Sequence, residues 1–197
     1  MWQYFSECLT KTSNTFVDNA GIFGKVYFPR LVMPLSVVIS NLVRFGIQLG
    51  LFVIVYIYYV IVGRAPCPNE YLLLLPLLLV IIAGLSLGFG IIISSLTTKY
   101  RDLQVLFSFV VQLWMYATPI VYPLSQVAGK QVLGMDLTTI MCLNPVTPII
   151  ETFKYGAYGA GHFSWWALAY SVGFMIVLLL LGIHMFNRKQ KFFIDTI

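Results

Sequence analysis

Hydrophobic positions in this chain come in long runs, and the polar ones between them are few and clustered. Residues 31–63 contain a single full charge, Arg44, while residues 71–98, 103–129 and 163–187 contain none. A helix crossing a bilayer needs about 20 mostly apolar residues, and each stretch is long enough. The pattern predicts helical spans at about 31–63, 71–98, 103–122 and 163–187. The first would extend well past a hydrocarbon layer of about 30 Å and must tilt or protrude. Residues 1–20 mix Trp2, Tyr4, Phe5 and Phe16 with Glu7, Lys11 and Asp18. They read as too polar to span, with aromatics suited to a membrane interface. Gly21, Gly24, Pro29 and Pro34 then break the chain into a short turn at 21–30.

The segment at 123–162 is no ordinary polar loop. It holds the apolar runs Val132–Leu133, Ile140–Leu143 and Val146–Ile150, too short to cross but able to dip in as re-entrant or interfacial helices when shielded by protein. In the second span Gly84 and Gly88 form one small-residue pair, and Ser86, Gly90 and Ser94 form a second row. Small residues let helix backbones approach in lipid, so this row is read as packing.

Composition sharpens the class. Of the 197 residues 59% are hydrophobic and 10% charged, against about 25% charged in soluble domains. That excludes a soluble enzyme, a secreted disulfide domain, a disordered tail and a nucleic-acid binder. The formal net charge is +5, and its distribution reads as topology. Lys25, Arg30, Lys99, Arg101, Arg188, Lys189 and Lys191 fall on one side of the spans; only Arg64, Lys130 and Lys154 fall on the other. By the positive-inside rule both ends of the four-span block, the C-terminus included, face the cytoplasm. Cys8, Cys67 and Cys142 have no metal-ligand spacing, and a Cys67–Cys142 disulfide is open by topology. The expectation is an all-α polytopic membrane protein, one domain over 1–197, with 1–30 leading into the first span and 188–197 a cytoplasmic tail.

Three features bear on function. Arg44 lies about 13 residues into the first span, roughly 20 Å along its axis. Asn41 and Gln48 share its face at i−3 and i+4. Two readings stand: the lining of a hydrophilic path suited to an anionic or sugar-rich solute, or an anchor near the headgroups of a span that begins later. In the third span Gln104, Ser108 and Gln112 repeat every four residues and are continued by Tyr116, with Trp114 and Tyr122 near the outer end. Amides beside aromatic faces suit sugars, and the alternative is interhelical hydrogen bonding with an aromatic belt. Catalytic chemistry finds no footing. The acids Glu7, Asp18, Glu70, Asp102, Asp136, Glu151 and Asp195 are scattered one per region, no nucleophile–base pair can be proposed, and His162 and His184 do not resemble a metal site. Gly156 to Gly161 has the spacing of a phosphate-binding loop, but His162 stands where that motif needs Lys.

Three segments carry a resemblance. Lys25-Val-Tyr-Phe-Pro-Arg30 runs into Met33-Pro-Leu35. Tyr100-Arg-Asp-Leu103 is followed about fifteen residues later by Thr118-Pro-Ile-Val-Tyr122. Leu143-Asn-Pro-Val-Thr-Pro148 is followed by Glu151 and Lys154. In their order and spacing relative to four spans, they resemble the permease subunit of type 2 ATP-binding-cassette exporters, in the branch moving O-antigen, teichoic acid and similar polysaccharides. The resemblance implies a permease homodimer around a channel in the bacterial inner membrane, in contact with membrane lipid and a lipid-linked polysaccharide. It implies a separate nucleotide-binding ATPase subunit that holds ATP and Mg, with no cofactor in this chain. It also implies a cytoplasmic ATPase-docking role for Lys25, Tyr27 and Arg30 and for Lys99, Tyr100, Arg101 and Asp102, and an outer cap at Pro123–Gly161. Family members usually carry an amphipathic helix, a first span and most of a second before the position of Met1. Met1 to about Thr15 is therefore expected to be the inner tail of that second span, and Arg44 to lack an acidic partner in this chain. Export of a drug or small lipid by the same architecture is the near alternative; a glycolipid-modifying membrane enzyme and a non-catalytic scaffold are more distant ones.

Overall fold

The computed structural model describes residues 1–18, 31–97, 103–120, 122, 124, 131–132 and 135–190. Among these the architecture is all-α, with one two-residue antiparallel pair, Gln131–Val132 (β1) and Met135–Asp136 (β2). The helices are α1 (Trp2–Asp18), α2 (Val32–Ile61), α3 (Leu75–Thr97), α4 (Leu103–Tyr116), α5 (Leu137–Cys142), α6 (Thr147–Tyr158) and α7 (Trp165–Gln190). A 3-10 turn, Glu70–Leu74, leads into α3.

Among the described residues three helical segments are long and apolar enough to cross a membrane: Val32–Ile61, Glu70–Thr97 and Trp165–Arg188. They lie on the first, second and fourth of the long apolar stretches. Pro34 lies in the first turn of α2, where its missing N–H breaks no helical bond. Past the end of α2, Gly63 takes a φ of 72°, the left-handed conformation that stops a helix at little cost to glycine. The third expected span differs. Regular helix covers only the 14 residues Leu103–Tyr116, about 21 Å, and turns carry the chain through Ile120. Pro119 accounts for the stop, since it disfavours helical backbone at Thr118 and offers no N–H of its own.

The core is centred on α3, with α1 and α7 making the most extensive contacts to it. Leu78, Ile81, Ile82 and Leu85 of α3 pack with Tyr4, Phe5, Cys8 and Leu9 of α1 and with Leu168 and Leu178 of α7, all nearly or fully buried. The expectation for α1 is corrected here. Tyr4 and Phe5 are not interfacial: Phe5 is fully enclosed, and Thr12 and Thr15 further along the helix are buried as well. The small residues of α3 act as the spacing suggests. A Cβ on Gly84 would strike the Met175 side chain, one on Gly88 would press on Leu178, and one on Gly90 would lie 2.5 Å from Thr12 Cγ2. Where lipid supplies no hydrophobic force between helices, such close approach is a main source of attachment.

The expected re-entrant segment is built from short helices. α5 and α6 have 6 and 12 residues, about 9 and 18 Å, and neither can cross. α6 is nevertheless deeply enclosed, with Ile149, Ile150, Glu151 and Thr152 all buried. It ends at Gly159, whose φ is 64°.

Candidate functional site

Polar side chains converge in two places, one between α1 and α2 and one under α6. α1 and α2 pack antiparallel, with Tyr4 against Phe45 and Cys8 against Asn41; Tyr4 Oη donates to the Val38 carbonyl at 3.2 Å, and Lys11 Nζ donates to Asn41 Oδ1 at 2.9 Å. This registry sets Glu7 opposite Arg44, and Arg44 Nη1 donates to Glu7 Oε2 at 2.8 Å. Lys11 Nζ lies 3.7 Å from the same carboxylate oxygen, and Gln3 Nε2 donates to Glu7 Oε1 at 3.3 Å. Asn41 is buried and turns its amide N–H towards Cys8 Sγ at 3.5 Å. The expectation that Arg44 lacks an acidic partner is thus corrected. Glu7 fills that role because α1 is a helix against α2, one turn placing Gln3, Glu7 and Lys11 along one face. Arg44 lies 12 residues from the start of α2 and 17 from its end, near the middle of the helix. A crevice of about 10 Å³ opens among Gln3, Tyr4, Glu7, Asn41, Arg44, Phe45 and Gln48, about enough for one water.

The second expected stripe divides. Gln112 and Tyr116 are exposed along α4. Gln104 is half-buried, and Ser108 returns its hydroxyl to the Val105 carbonyl at 2.8 Å. Trp114 points the other way, since two residues are about 200° around a helix. It meets Phe5 and Phe89 edge-on at centroid distances of 5.5 and 5.2 Å, half-buried against the core. Tyr122 donates to the Tyr116 carbonyl at 2.7 Å, folding back over the end of α4. Arg44 with Asn41 is therefore brought to one site, whereas Trp114 is part of the packing between α1, α3 and α4. Lys25, Tyr27, Arg30, Lys99, Tyr100, Arg101 and Asp102 lie outside the described residues.

The second convergence was not singled out as a site from sequence. Glu151 is only 3% exposed. Its carboxylate pairs with Lys154 Nζ at 3.2 Å and accepts the His162 backbone N–H at 3.3 Å. Lys154 also donates to the Pro119 carbonyl, clasping α6 to the end of α4. Asn144 Nδ2 adds a 2.9 Å bond to Thr118 Oγ1, while its Oδ1 accepts from Val146 N at 3.1 Å. Ser171 Oγ donates to the Pro145 carbonyl at 2.7 Å, binding the same corner to α7. Gly156 completes the fit, because a Cβ there would stand 2.8 Å from the backbone nitrogen of Leu72. A cavity of about 820 Å³ opens beside this corner, and Tyr122, Glu151, Lys154, Tyr158 and His162 are among its walls. Cys67 and Cys142 reach the surface as free thiols. Partial burial, then the Glu151 carboxylate, push the Cys142 thiol up from its ordinary pKa. The signal for this corner was present as acid and base three residues apart on a short helix. Burial, which makes the pair consequential, had no signature in the sequence.

The chain thus has apolar helices of membrane length, an ion pair deep on α2 and a short enclosed helix latched at one end. Comparison with known proteins agrees in kind. It is 28% identical over 153 residues to the O-antigen export system permease protein RfbA of Myxococcus xanthus, an alignment covering 78% of this chain and 55% of that one. Two proteins of the same name from Klebsiella pneumoniae are 27% and 26% identical over all 197 residues, 71% of their own length. The chain spans a little over half of the Myxococcus relative it matches. The ABC-2 type transporter family matches residues 2–158, from the first turn of α1 to the last of α6. That match covers most of the chain, Glu7, Arg44, Glu151 and Lys154 included, and the chain belongs to the ABC-2 type transporter family.

Proposed function

We propose that this chain is the transmembrane permease subunit of an ATP-driven exporter that moves a lipid-linked polysaccharide across the bacterial inner membrane. The observation that carries the reading is similarity along the whole chain to proteins named as O-antigen export permeases. The intramembrane pair of Glu7 and Arg44 supports it, because ionised residues at such depth mark solute paths rather than lipid-facing walls. In this reading two copies of the chain border the path. A separate nucleotide-binding subunit binds ATP and Mg and docks at the cytoplasmic turns containing Lys25, Tyr27 and Arg30 and Lys99 to Asp102. Asn41, Arg44 and Gln48, with Gln104, Ser108, Gln112, Tyr116 and Tyr122, are the candidates for lining the path. Trp114 would act on the path only by holding α4 against α1 and α3. The C-terminus faces the cytoplasm, in keeping with Arg188 and Lys189 at the end of α7. The short helices α5 and α6 cap the outer end.

The test is reconstitution with a nucleotide-binding subunit of the same transporter family. The expected result is co-purification as a complex and appearance of polymer at the surface of cells lacking their own polysaccharide permease, abolished by charge reversal at Arg101. A chain that associates with no nucleotide-hydrolysing subunit and restores no surface polymer would sink the reading.

A further inference from the structure

One side of α6 faces the cavity of about 820 Å³, a volume within the ordinary range for small-molecule sites. Thr147, Glu151, Lys154 and Tyr158 line it, at intervals of four, three and four residues, which sets them in one row along the helix. The facing walls come from α5, from the turns beyond α4 and from the approach to α7. One polar atom in the row has no counterpart. Thr147 is 1% exposed, and its Oγ1 finds no hydrogen-bond partner among the described residues. Thr152, the other threonine buried on α6, donates its hydroxyl to the Pro148 carbonyl four residues back at 2.7 Å. Thr147 opens the helix and has no helical carbonyl at that spacing. A buried hydroxyl left unpaired is destabilising, so a ligand that bonds to it removes a penalty.

We propose that this cavity is a binding site for an uncharged sugar ring, with the Thr147 hydroxyl as its anchor. The charge of the walls selects against an ion. Glu151 and Lys154 neutralise each other at 3.2 Å, and an ion of either sign would have to part this buried pair to gain a partner, at a large cost. What the pair leaves over suits a neutral hydroxyl. Lys154 Nζ has three N–H donors and uses two, on Glu151 and on the Pro119 carbonyl; the third has no partner among the described residues. Thr147 Oγ1 can donate and accept, as can every hydroxyl of a sugar. Thr147 and Lys154 stand seven residues apart, about 10 Å along the axis. A six-membered ring with hydroxyls on opposite edges bridges such a gap, and a single hydroxyl does not. Two phenol rings supply apolar faces for the C–H face of the ligand. Tyr158 is held edge-on by Phe52 and Tyr56 at centroid distances of 6.3 and 6.1 Å, and Tyr122 has its hydroxyl engaged on the Tyr116 carbonyl. A bound ring would touch α5, α6 and the approach to α7 together and reinforce the corner at Glu151. The inference rests on the export reading only for the source of the sugar; the site itself follows from the cavity.

The experiment measures binding to the purified full chain in a polyoxyethylene detergent, which has no sugar headgroup, by saturation-transfer NMR of the ligand and by the thermal transition. The probes are the methyl glycosides of glucose, galactose, mannose and N-acetylglucosamine. Sorbitol, with the hydroxyls and no ring, and glucuronate, with the ring and a charge, are the comparisons. At least one glycoside is expected to bind at millimolar concentration and raise the thermal transition, with sorbitol and glucuronate about fivefold weaker or more. Thr147→Val keeps the shape and removes the hydroxyl. It should weaken that glycoside about fivefold while the sugar-free protein melts no lower than before, because the lost hydroxyl had no partner; Thr147→Ser should restore binding to within about twofold. A hydroxyl that serves only the packing of α6 would give the reverse, a lower transition with glycoside binding unaltered. Binding of none of the four glycosides at tens of millimolar, equal binding of sorbitol, or unchanged affinity in Thr147→Val would overturn the proposal. Were that variant unfolded, Tyr158→Leu decides in its place, at an exposed position and with the same expected loss. No ATPase or exported polymer enters this measurement. Sugar binding without export would leave the site standing and remove the transport reading, and export by a chain that binds none of the glycosides would do the opposite.

Discussion

Two carboxylates in this molecule each hold a cation, and they are held in opposite ways. Glu151 lies under α6 at 3% exposure, and Lys154, the Pro119 carbonyl and the His162 N–H complete its surroundings. Glu7 lies at a seam between two helices, shared by two cations that are about half exposed. The first pair is balanced in charge and tied to fixed backbone groups. The second is overbalanced and made only of side chains that can turn away. An enclosed, saturated pair fixes a geometry, whereas an open, unsaturated one can trade partners. The corner under α6 is accordingly read as a latch and the seam between α1 and α2 as a joint whose partners can change.

The contrast can be broken most forcefully at Lys154. Lys154→Ala leaves the Glu151 carboxylate buried without its cation, and removing one member of a buried pair costs about 3–5 kcal/mol. A large fall in the thermal transition of the detergent-solubilised protein is expected; a change within error would show that the corner is not a latch. Gly156→Ala comes next. The added Cβ meets the backbone of Leu72 at 2.8 Å, which cannot swing aside as a side chain would. Overpacking of about 1–3 kcal/mol should follow, seen as earlier proteolysis of the α6 region at unchanged helical content. The smallest effect on stability belongs to Arg44→Gln. An exposed pair contributes about 0–1 kcal/mol, so the thermal transition should barely move. If Arg44→Gln proved as destabilising as Lys154→Ala, the two sites would not differ in kind.

Much of the fold could be read from the spacing of apolar residues, and the losses have identifiable causes. The three long spans follow from length and hydropathy alone, because in lipid a long apolar stretch has few ways to satisfy its backbone other than as a helix. α1 was undervalued for its charges. Tyr4, Phe5, Cys8, Leu9, Thr12 and Thr15 recur at helical spacing on one face, and that face is the buried one. Periodicity rather than mean polarity held the signal. Once α1 is seen as a helix, Gln3, Glu7 and Lys11 align on its other side and the partner of Arg44 becomes visible. Trp114 shows the converse error: grouped with Gln112 and Tyr116 by proximity in sequence, it faces the opposite way around the helix. The Glu151 latch depends on Pro119 and His162, distant in sequence and joined to it through their backbone groups. No pattern of side-chain types announces such a bond.

The manner in which α2 is held has a mechanical consequence. Near its start the Val38 carbonyl receives the Tyr4 hydroxyl, and near its far end the Tyr56 hydroxyl lies between the carbonyls of Ala157 and Pro66, within hydrogen-bond reach of both. Between these two brackets runs one unbroken helix of 19 residues from Val38 to Tyr56, about 27 Å of rigid rod. A rod clamped at both ends cannot take up a displacement at one clamp by bending in the middle. It hands the displacement on, so that whatever shifts α1 must tug on the last turn of α6.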